Sequence, residues 1–313
     1  MMKSLFGGIR VHETLTNVVI PSFDSKLLNP VIFTSTKAKN DEYMDALLSD
    51  VIIGSSSPPL AYPPHYFNIC TSHQVCREFN LFDGAVISNN PTLVAVTEMI
   101  KEVKESIGHV VHHSRLRVLS LGTGAGEEAG YEAKGYKWGI TDYYNLSHVF
   151  DEDYTSLNSL ISDTANDRMV ELYSHLLLDK SNFLRIQVDT LSSSEANFAN
   201  GTKANLMHLG ETAQELLNQN LTSFDPSTCR FVPVPNGGTT REALLKFVAQ
   251  EPCHYSGDSL KKSVITKGQL MVPWVCLDGR EWDELALFLL GPSVDRIMPP
   301  TMVAARDEEE GNS

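Results

Sequence analysis

Short β-rich runs alternate with helical segments along the first 250 residues, and this alternation limits the possible folds more than any other feature of the chain. Branched and aromatic residues, bounded by Pro, Gly, Asp or Asn, predict strands at Asn17–Phe23, Pro30–Ser35, Phe79–Ile87, Leu116–Leu121 and Phe183–Val188. Apolar spacing of three and four predicts helices at Asp41–Ile53, Pro91–Ile107, Ser156–Leu178, Leu206–Leu217 and Glu242–Gln250. Such alternation predicts an α/β fold with a mostly parallel central sheet covered by helices on both faces.

The charge balance excludes some classes of partner. The chain has 313 residues, with 25 Lys and Arg against 39 Asp and Glu, for a net charge of −14. Nucleic-acid binding needs clustered basic residues that displace counterions, so no nucleic-acid partner is expected. Adsorption to an anionic membrane by charge alone is disfavoured for the same reason, and any lipid contact would be local and apolar.

The remaining sequence-wide signals concern location. We find no signal peptide at the amino terminus and no run of 18 apolar residues that would span a membrane. The five cysteines are scattered along the chain and are odd in number, which is unlike a disulfide framework and favours a reducing compartment. We therefore expect a cytoplasmic protein.

The most informative segment for chemistry is Phe82–Pro91, with the sequence FDGAVISNNP. Asp83 ends an apolar run, and Gly84 lies next to it on what reads as a sharp turn that lets the backbone approach a ligand. A carboxylate in this place can accept a hydroxyl proton as a general base. Asp-Gly by itself is also an ordinary turn sequence, so the pair alone leaves both interpretations open.

The whole segment resembles the Asp-Gly-Gly/Ala segment of the patatin-like lipid acyl hydrolases, and is closest to the plant patatins. Further stretches agree with that family in order and spacing over roughly residues 10 to 250: TLTNVVIPSFD at 14–24, PVIF at 30–33, GSSSP at 54–58, PPHYF at 63–67, LSLGTG at 119–124 and REALLKF at 241–247. The resemblance implies a three-layer patatin-like α/β fold.

The resemblance also implies a function. Patatins hydrolyse acyl esters of phospholipids and galactolipids with a Ser–Asp dyad, without cofactor or metal, and can act at a lipid surface. By motif match, Asp83 is the general base, and Gly84 and Ala85 complete its turn. The family's serine lies in a G-x-S-x-G elbow, preceded by a glycine-rich loop whose N–H groups stabilise the oxyanion.

One element of the family pattern is missing from the sequence. No glycine of the chain begins a G-x-S-x-G motif, so no nucleophile is found. In the family the elbow precedes the stretch that matches residues 14–24. We therefore expect an amino-terminally truncated patatin-like domain over residues 1–250, lacking its first strands and the elbow. Residues 251–313 form a divergent or disordered tail of unknown role, and the oligomeric state is not predicted.

Several segments imitate parts of an active or metal site. Gly7-Gly8-Ile9-Arg10 resembles the oxyanion loop, and Ser56 follows a glycine as an elbow serine does, although Pro58 replaces the second glycine. Ser120 and Thr123 are hydroxyls near a strand end. Zinc binding is a further alternative, because four potential ligands follow one another at His65, Cys70, His73 and Cys76.

Two functions remain open from the sequence alone. The first is a lipid acyl hydrolase whose nucleophile is encoded directly upstream of this sequence. The second is a non-catalytic storage, lipid-binding or interaction protein derived from a patatin. In either case the 313 residues as they stand are expected not to hydrolyse esters, because the attacking serine accounts for most of the rate in serine hydrolases.

Overall fold

The computed structural model describes residues 2–59, 61–71, 75–108, 116–126, 157–178, 180–197, 200–249, 264–266 and 274–276. The described strands are β1 Asn17–Asp24, β2 Asn29–Thr34, β3 His65–Cys70, β4 Cys76–Phe82, β5 Arg117–Leu121, β6 Phe183–Ile186, β7 Thr222–Asp225, β8 Arg230–Pro233, β9 Val264–Thr266 and β10 Trp274–Cys276. The described α-helices are α1 Met2–Phe6, α2 Ser35–Asn40, α3 Leu48–Ser55, α4 Ala85–Ser88, α5 Thr92–Ile107, α6 Leu157–Leu177, α7 Ser193–Ala196, α8 Lys203–Asn218 and α9 Thr240–Ala249.

The α/β class is confirmed, but the central sheet is mixed and not mostly parallel as expected. Its order is β3-β4-β1-β9-β10-β5-β6, with β2 paired to β1. Within the described strands, only the pairs β1–β9 and β5–β6 are parallel. The connections from β1 to β2 and from β3 to β4 are too short for a crossover helix, so these strands pair antiparallel.

Helices cover both faces of the sheet at β5. Successive side chains of a strand point to opposite faces. Val118 accordingly shares an apolar cluster with Met99 of α5. Leu119, the next residue, belongs to a second cluster with Leu244 and Phe247 of α9. This alternation gives the three layers that the resemblance implies.

The first predicted helix is broken in the structure. A 3₁₀ turn at Glu42–Met44 is followed by an extended residue, Leu47, before α3 begins. Asp45, between the two, bonds to the backbone N–H and ring of His12, and this tertiary contact overrides the local helical pattern. The predicted strand from Phe79 is also shorter than expected, because residues after the Asp-Gly turn form α4.

A disulfide joins β3 and β4, although the odd number and the scatter of the cysteines are unlike a disulfide framework. Antiparallel pairing places Cys70 directly opposite Cys76, with their Cα atoms 4.0 Å apart. The scattered cysteines therefore do include one bridge, closed locally within a hairpin. Cys229 is a free, exposed thiol.

Two strands of the predicted tail take part in the sheet. β9 pairs with β1, and β10 pairs with β9 and with β5, so both lie between β1 and β5. The boundary at residue 250 stays a prediction, and the acidic run at 307–310 lies outside the described residues. Across the described helices, none is both long and apolar enough to cross a membrane.

Candidate functional site

The Asp83 turn, residues 83–85, lies between β4 and α4. The backbone N–H of Asp83 donates to the Ser57 carbonyl at 3.1 Å, and that of Gly84 donates to the Ser55 carbonyl at 3.3 Å. The Asp83 side chain is buried, and its Oδ1 accepts the N–H of Ala85 at 2.8 Å. The three residues singled out from the sequence thus form one anchored turn, while the role of Asp83 as a base stays a prediction.

Gly84 is required by close packing against β1. A Cβ atom added to it would lie 2.5 Å from the carbonyl oxygen of Pro21 and 3.2 Å from Ser55 Oγ. That serine hydroxyl itself donates to the Pro21 carbonyl at 2.7 Å. The turn therefore rests directly on the β1 backbone, and no side chain fits between them.

Gly84→Ala is expected to destabilise the fold, because the new methyl group meets backbone that cannot move without distorting β1. Overpacking of this kind costs about 1–3 kcal/mol. Gly210→Ala in α8 is the matched control, since a Cβ there meets nothing within 4 Å. It should be neutral or stabilising. Urea unfolding of both variants checks the prediction, and equal midpoints would contradict it.

The structure does not favour the alternative nucleophiles. Ser56 is exposed at the end of α3, and Thr123 is exposed after β5. Ser120 is buried and its hydroxyl already lies between two partners, Thr92 Oγ1 at 2.9 Å and Arg185 Nη1 at 2.8 Å. A hydroxyl held in this way belongs to the scaffold.

Neither the oxyanion nor the zinc alternative gains support. Arg10, after the two glycines, pairs with Asp45. Cys70 is in the disulfide, and His65 Nε2 lies 3.0 Å from Asp50 Oδ1. His73 lies outside the described residues. In the part of the chain that the structure describes, no three His, Cys, Asp or Glu side chains are grouped to hold a metal ion.

Five polar side chains that the sequence analysis did not single out as a group form a hydrogen-bonded ring, which we call the polar ring: Asn90, Thr92, Ser120, Asp167 and Arg185. Arg185 Nη1 donates to Ser120 and its Nη2 donates to Asp167 at 2.6 Å. Asn90 Nδ2 donates to the same Asp167 oxygen at 2.6 Å, and Thr92 Oγ1 donates to Asn90 Oδ1 at 2.6 Å. The polar ring thereby connects the segment after α4 to β5, β6 and α6.

Glu171 lies beside the polar ring on α6. It is 1% exposed, and its Oε1 lies 3.6 Å from Arg185 Nε, beyond hydrogen-bond distance. Burial raises the pKa of Glu171 to about 7, although Arg185 opposes the shift. Asp167, one turn earlier, raises this pKa further because its negative charge repels that of the ionised Glu171 carboxylate.

One sequence signal points to this cluster. Arg185 sits in the apolar strand FLRI, where a charged residue requires a buried partner. Asp167 and Glu171 are four residues apart on one face of α6 and supply that partner.

A cavity of about 400 Å³ lies elsewhere, against residues that include Arg10, Lys39, Glu42 and Thr71. None of residues 83–85 lines this cavity. We therefore do not connect this cavity with the chemistry of the turn.

Comparison with known proteins gives curated relatives from plants. The chain is 35% identical over 258 residues to "Patatin-like protein 1" of Arabidopsis thaliana, covering 79% of this chain and 61% of the relative. It is 34% identical over 261 residues to "Patatin-like protein 2" of Oryza sativa subsp. japonica, covering 80% and 64%. No model of a known protein family matches the chain.

A further relative has a different description. "Probable inactive patatin-3-Kuras 1" of Solanum tuberosum is 29% identical over 238 residues, which covers 73% of this chain and 61% of the relative. The chain thus spans about three fifths of the length of the curated relatives it matches.

Proposed function

From the premise that this chain belongs to the patatin-like family, we propose that it carries the acid of a lipid acyl hydrolase site. Asp83 is the general base of a Ser–Asp dyad, and phospholipids and galactolipids are the substrates. The proposal is supported by the Asp83 turn between β4 and α4: two backbone hydrogen bonds anchor the turn, and the buried carboxylate accepts the Ala85 N–H.

The chemistry of the turn fits a base. In ester hydrolysis the carboxylate takes the proton of the serine hydroxyl while the serine oxygen attacks the acyl carbonyl carbon, and the alcohol leaves with that proton. A water molecule, deprotonated by the same carboxylate, then attacks the acyl-serine, and the fatty acid leaves as the serine regains its proton. The Ala85 N–H fixes the carboxylate orientation through Oδ1. The serine would come from a G-x-S-x-G elbow, which is not among these 313 residues.

A second function is supported by one of the relatives. A patatin-derived protein that binds lipid without turnover would keep the fold and lose the nucleophile, and one relative is itself described as a probable inactive patatin. In this case the partner is a phospholipid or galactolipid surface, contacted through local apolar side chains. The acidic net charge of −14 disfavours attraction to an anionic surface.

Two measurements separate these functions. Sequencing of the 5′ end of the transcript shows whether an in-frame G-x-S-x-G segment precedes the codon for Met1, as the hydrolase function requires. Co-sedimentation with phosphatidylcholine or galactolipid vesicles, together with an assay of released fatty acid, tests the second function. An upstream elbow contradicts the non-catalytic function, whereas its absence combined with vesicle binding contradicts the hydrolase function.

A further inference from the structure

The Asp83 turn is held from two directions. On one side, its backbone bonds to the residues after α3 and packs on β1 through Gly84. On the other side lies α4, a helix of four residues whose own hydrogen bonds are few. A helix this short is not stable by itself, so its position depends on its packing against β1 and on the contacts of the residues that come after Ser88.

Asn90 is the residue that connects this second side to α6. Its carbonyl accepts the hydroxyl of Ser88 at 2.7 Å, and the Ser88 N–H closes α4 by donating to the Gly84 carbonyl at 2.9 Å. Asn90 is 1% exposed, and its N–H donates to Asn166 Oδ1 of α6 at 3.0 Å. A continuous set of hydrogen bonds therefore runs from α6 through Asn90 to the Asp83 turn.

Each hydrogen bond of the polar ring can be assigned one donor and one acceptor without conflict. Thr92 Oγ1 gives its hydrogen to Asn90 Oδ1, so the Ser120 hydroxyl must donate to Thr92. Ser120 in turn accepts from Arg185. The Asn90 amide orientation is also determined, because its Oδ1 accepts the Thr92 N–H and its Nδ2 faces the Asp167 carboxylate. Only this arrangement of hydrogens completes the ring, and the Nε of Arg185, which takes no part in it, has no hydrogen-bond partner among the described residues.

We propose that the polar ring holds the Asp83 turn in position through Asn90, which makes Asn90 a positioning residue for the base. The inference rests on the proposed function only in calling Asp83 the base. Asn90 itself touches neither substrate nor reacting atoms and acts through Ser88 and α4. The same bonds would also serve simply to attach α6 to the sheet, and the experiment is chosen to distinguish these roles.

Thr92→Val removes one hydroxyl of the polar ring without leaving a buried charge. We expect the amide hydrogens of residues 85–88 to exchange about tenfold faster, the effect of losing one hydrogen bond, while the amides of β1 keep their rates. Thr92→Ser restores the hydroxyl and should restore the rates. Thr97→Val, on an exposed position of the same helix, is the matched control and should change nothing at residues 85–88.

Hydrogen exchange of the 313-residue chain, resolved by amide, is the measurement. Unchanged exchange at residues 85–88 in Thr92→Val, or equal acceleration throughout the protein, would overturn the proposal. If Thr92→Val does not fold, Ser120→Ala breaks the same ring from β5 and is expected to give the same local pattern. Since the readout needs no activity, a failure here is distinct from a failure of Asp83 as the base.

Discussion

Asp83→Asn is expected to abolish ester hydrolysis almost completely in a chimaera that joins a plant patatin elbow segment, containing G-x-S-x-G, ahead of this chain. Asn keeps the size of the side chain and an oxygen for the Ala85 N–H bond, but it cannot accept the serine proton. In a dyad without histidine no other base takes over. Loss of a comparable base in serine hydrolases lowers kcat on the order of 10⁴ to 10⁶-fold.

The control for this prediction is Asp41→Asn. The Asp41 carboxylate caps a short 3₁₀ turn by accepting the Tyr43 N–H, and Asn caps equally well. The kcat of both chimaeras with a p-nitrophenyl ester is the measurement, with circular dichroism to confirm folding. A folded Asp83→Asn chimaera as active as Asp41→Asn would show that Asp83 is not the base.

Glu171→Gln is expected to stabilise the protein at pH 8 and to have little effect at pH 5. The folded-state pKa of Glu171 is about 7, above its ordinary value of 4.5. Between these values the folded protein holds a proton that the unfolded chain releases, so stability falls as pH rises from about 4.5 through about 7. A shift of this size corresponds to on the order of 3 kcal/mol.

Glutamine has the shape of the protonated carboxyl and does not titrate. The variant therefore does not lose that stability as the pH rises. The groups that set the pKa, in addition to burial, are Arg185, Asp167, Arg168 and Asp189. Urea unfolding at pH 5 and pH 8 gives the two free energies. Glu215→Gln on the exposed face of α8 is the control and should show no pH-dependent gain. Parallel pH curves for Glu171→Gln and the unsubstituted protein would contradict the prediction.

Local sequence patterns predict the elements whose structure is decided locally. The branched run of β1 and the apolar spacing of α5 specify their elements within a few residues. The break before α3 is not predictable, because it depends on Asp45 meeting His12, a residue far away in the chain. The mixed sheet departs from the prediction because short connections make β1–β2 and β3–β4 antiparallel hairpins, and because β3, β9 and β10 are not among the predicted strands.

The candidate site likewise has one part that local sequence predicts and one part that depends on distant contacts. The Asp83 turn is predictable because its residues are adjacent in the sequence and match a family motif. The polar ring comes from the segment after α4, from β5, from α6 and from β6, so no window of sequence contains it. Its separate members look like ordinary polar residues until the fold brings them together.

The central proposal is that Asp83 is the base of a Ser–Asp dyad whose G-x-S-x-G elbow is not among these 313 residues. Hydrolysis of p-nitrophenyl esters by the purified 313-residue chain tests this most directly, with Asp83→Ala measured beside it. We predict that both proteins give the rate of the buffer blank. A rate well above the blank that disappears in Asp83→Ala would contradict the account, because these residues would then contain their own nucleophile.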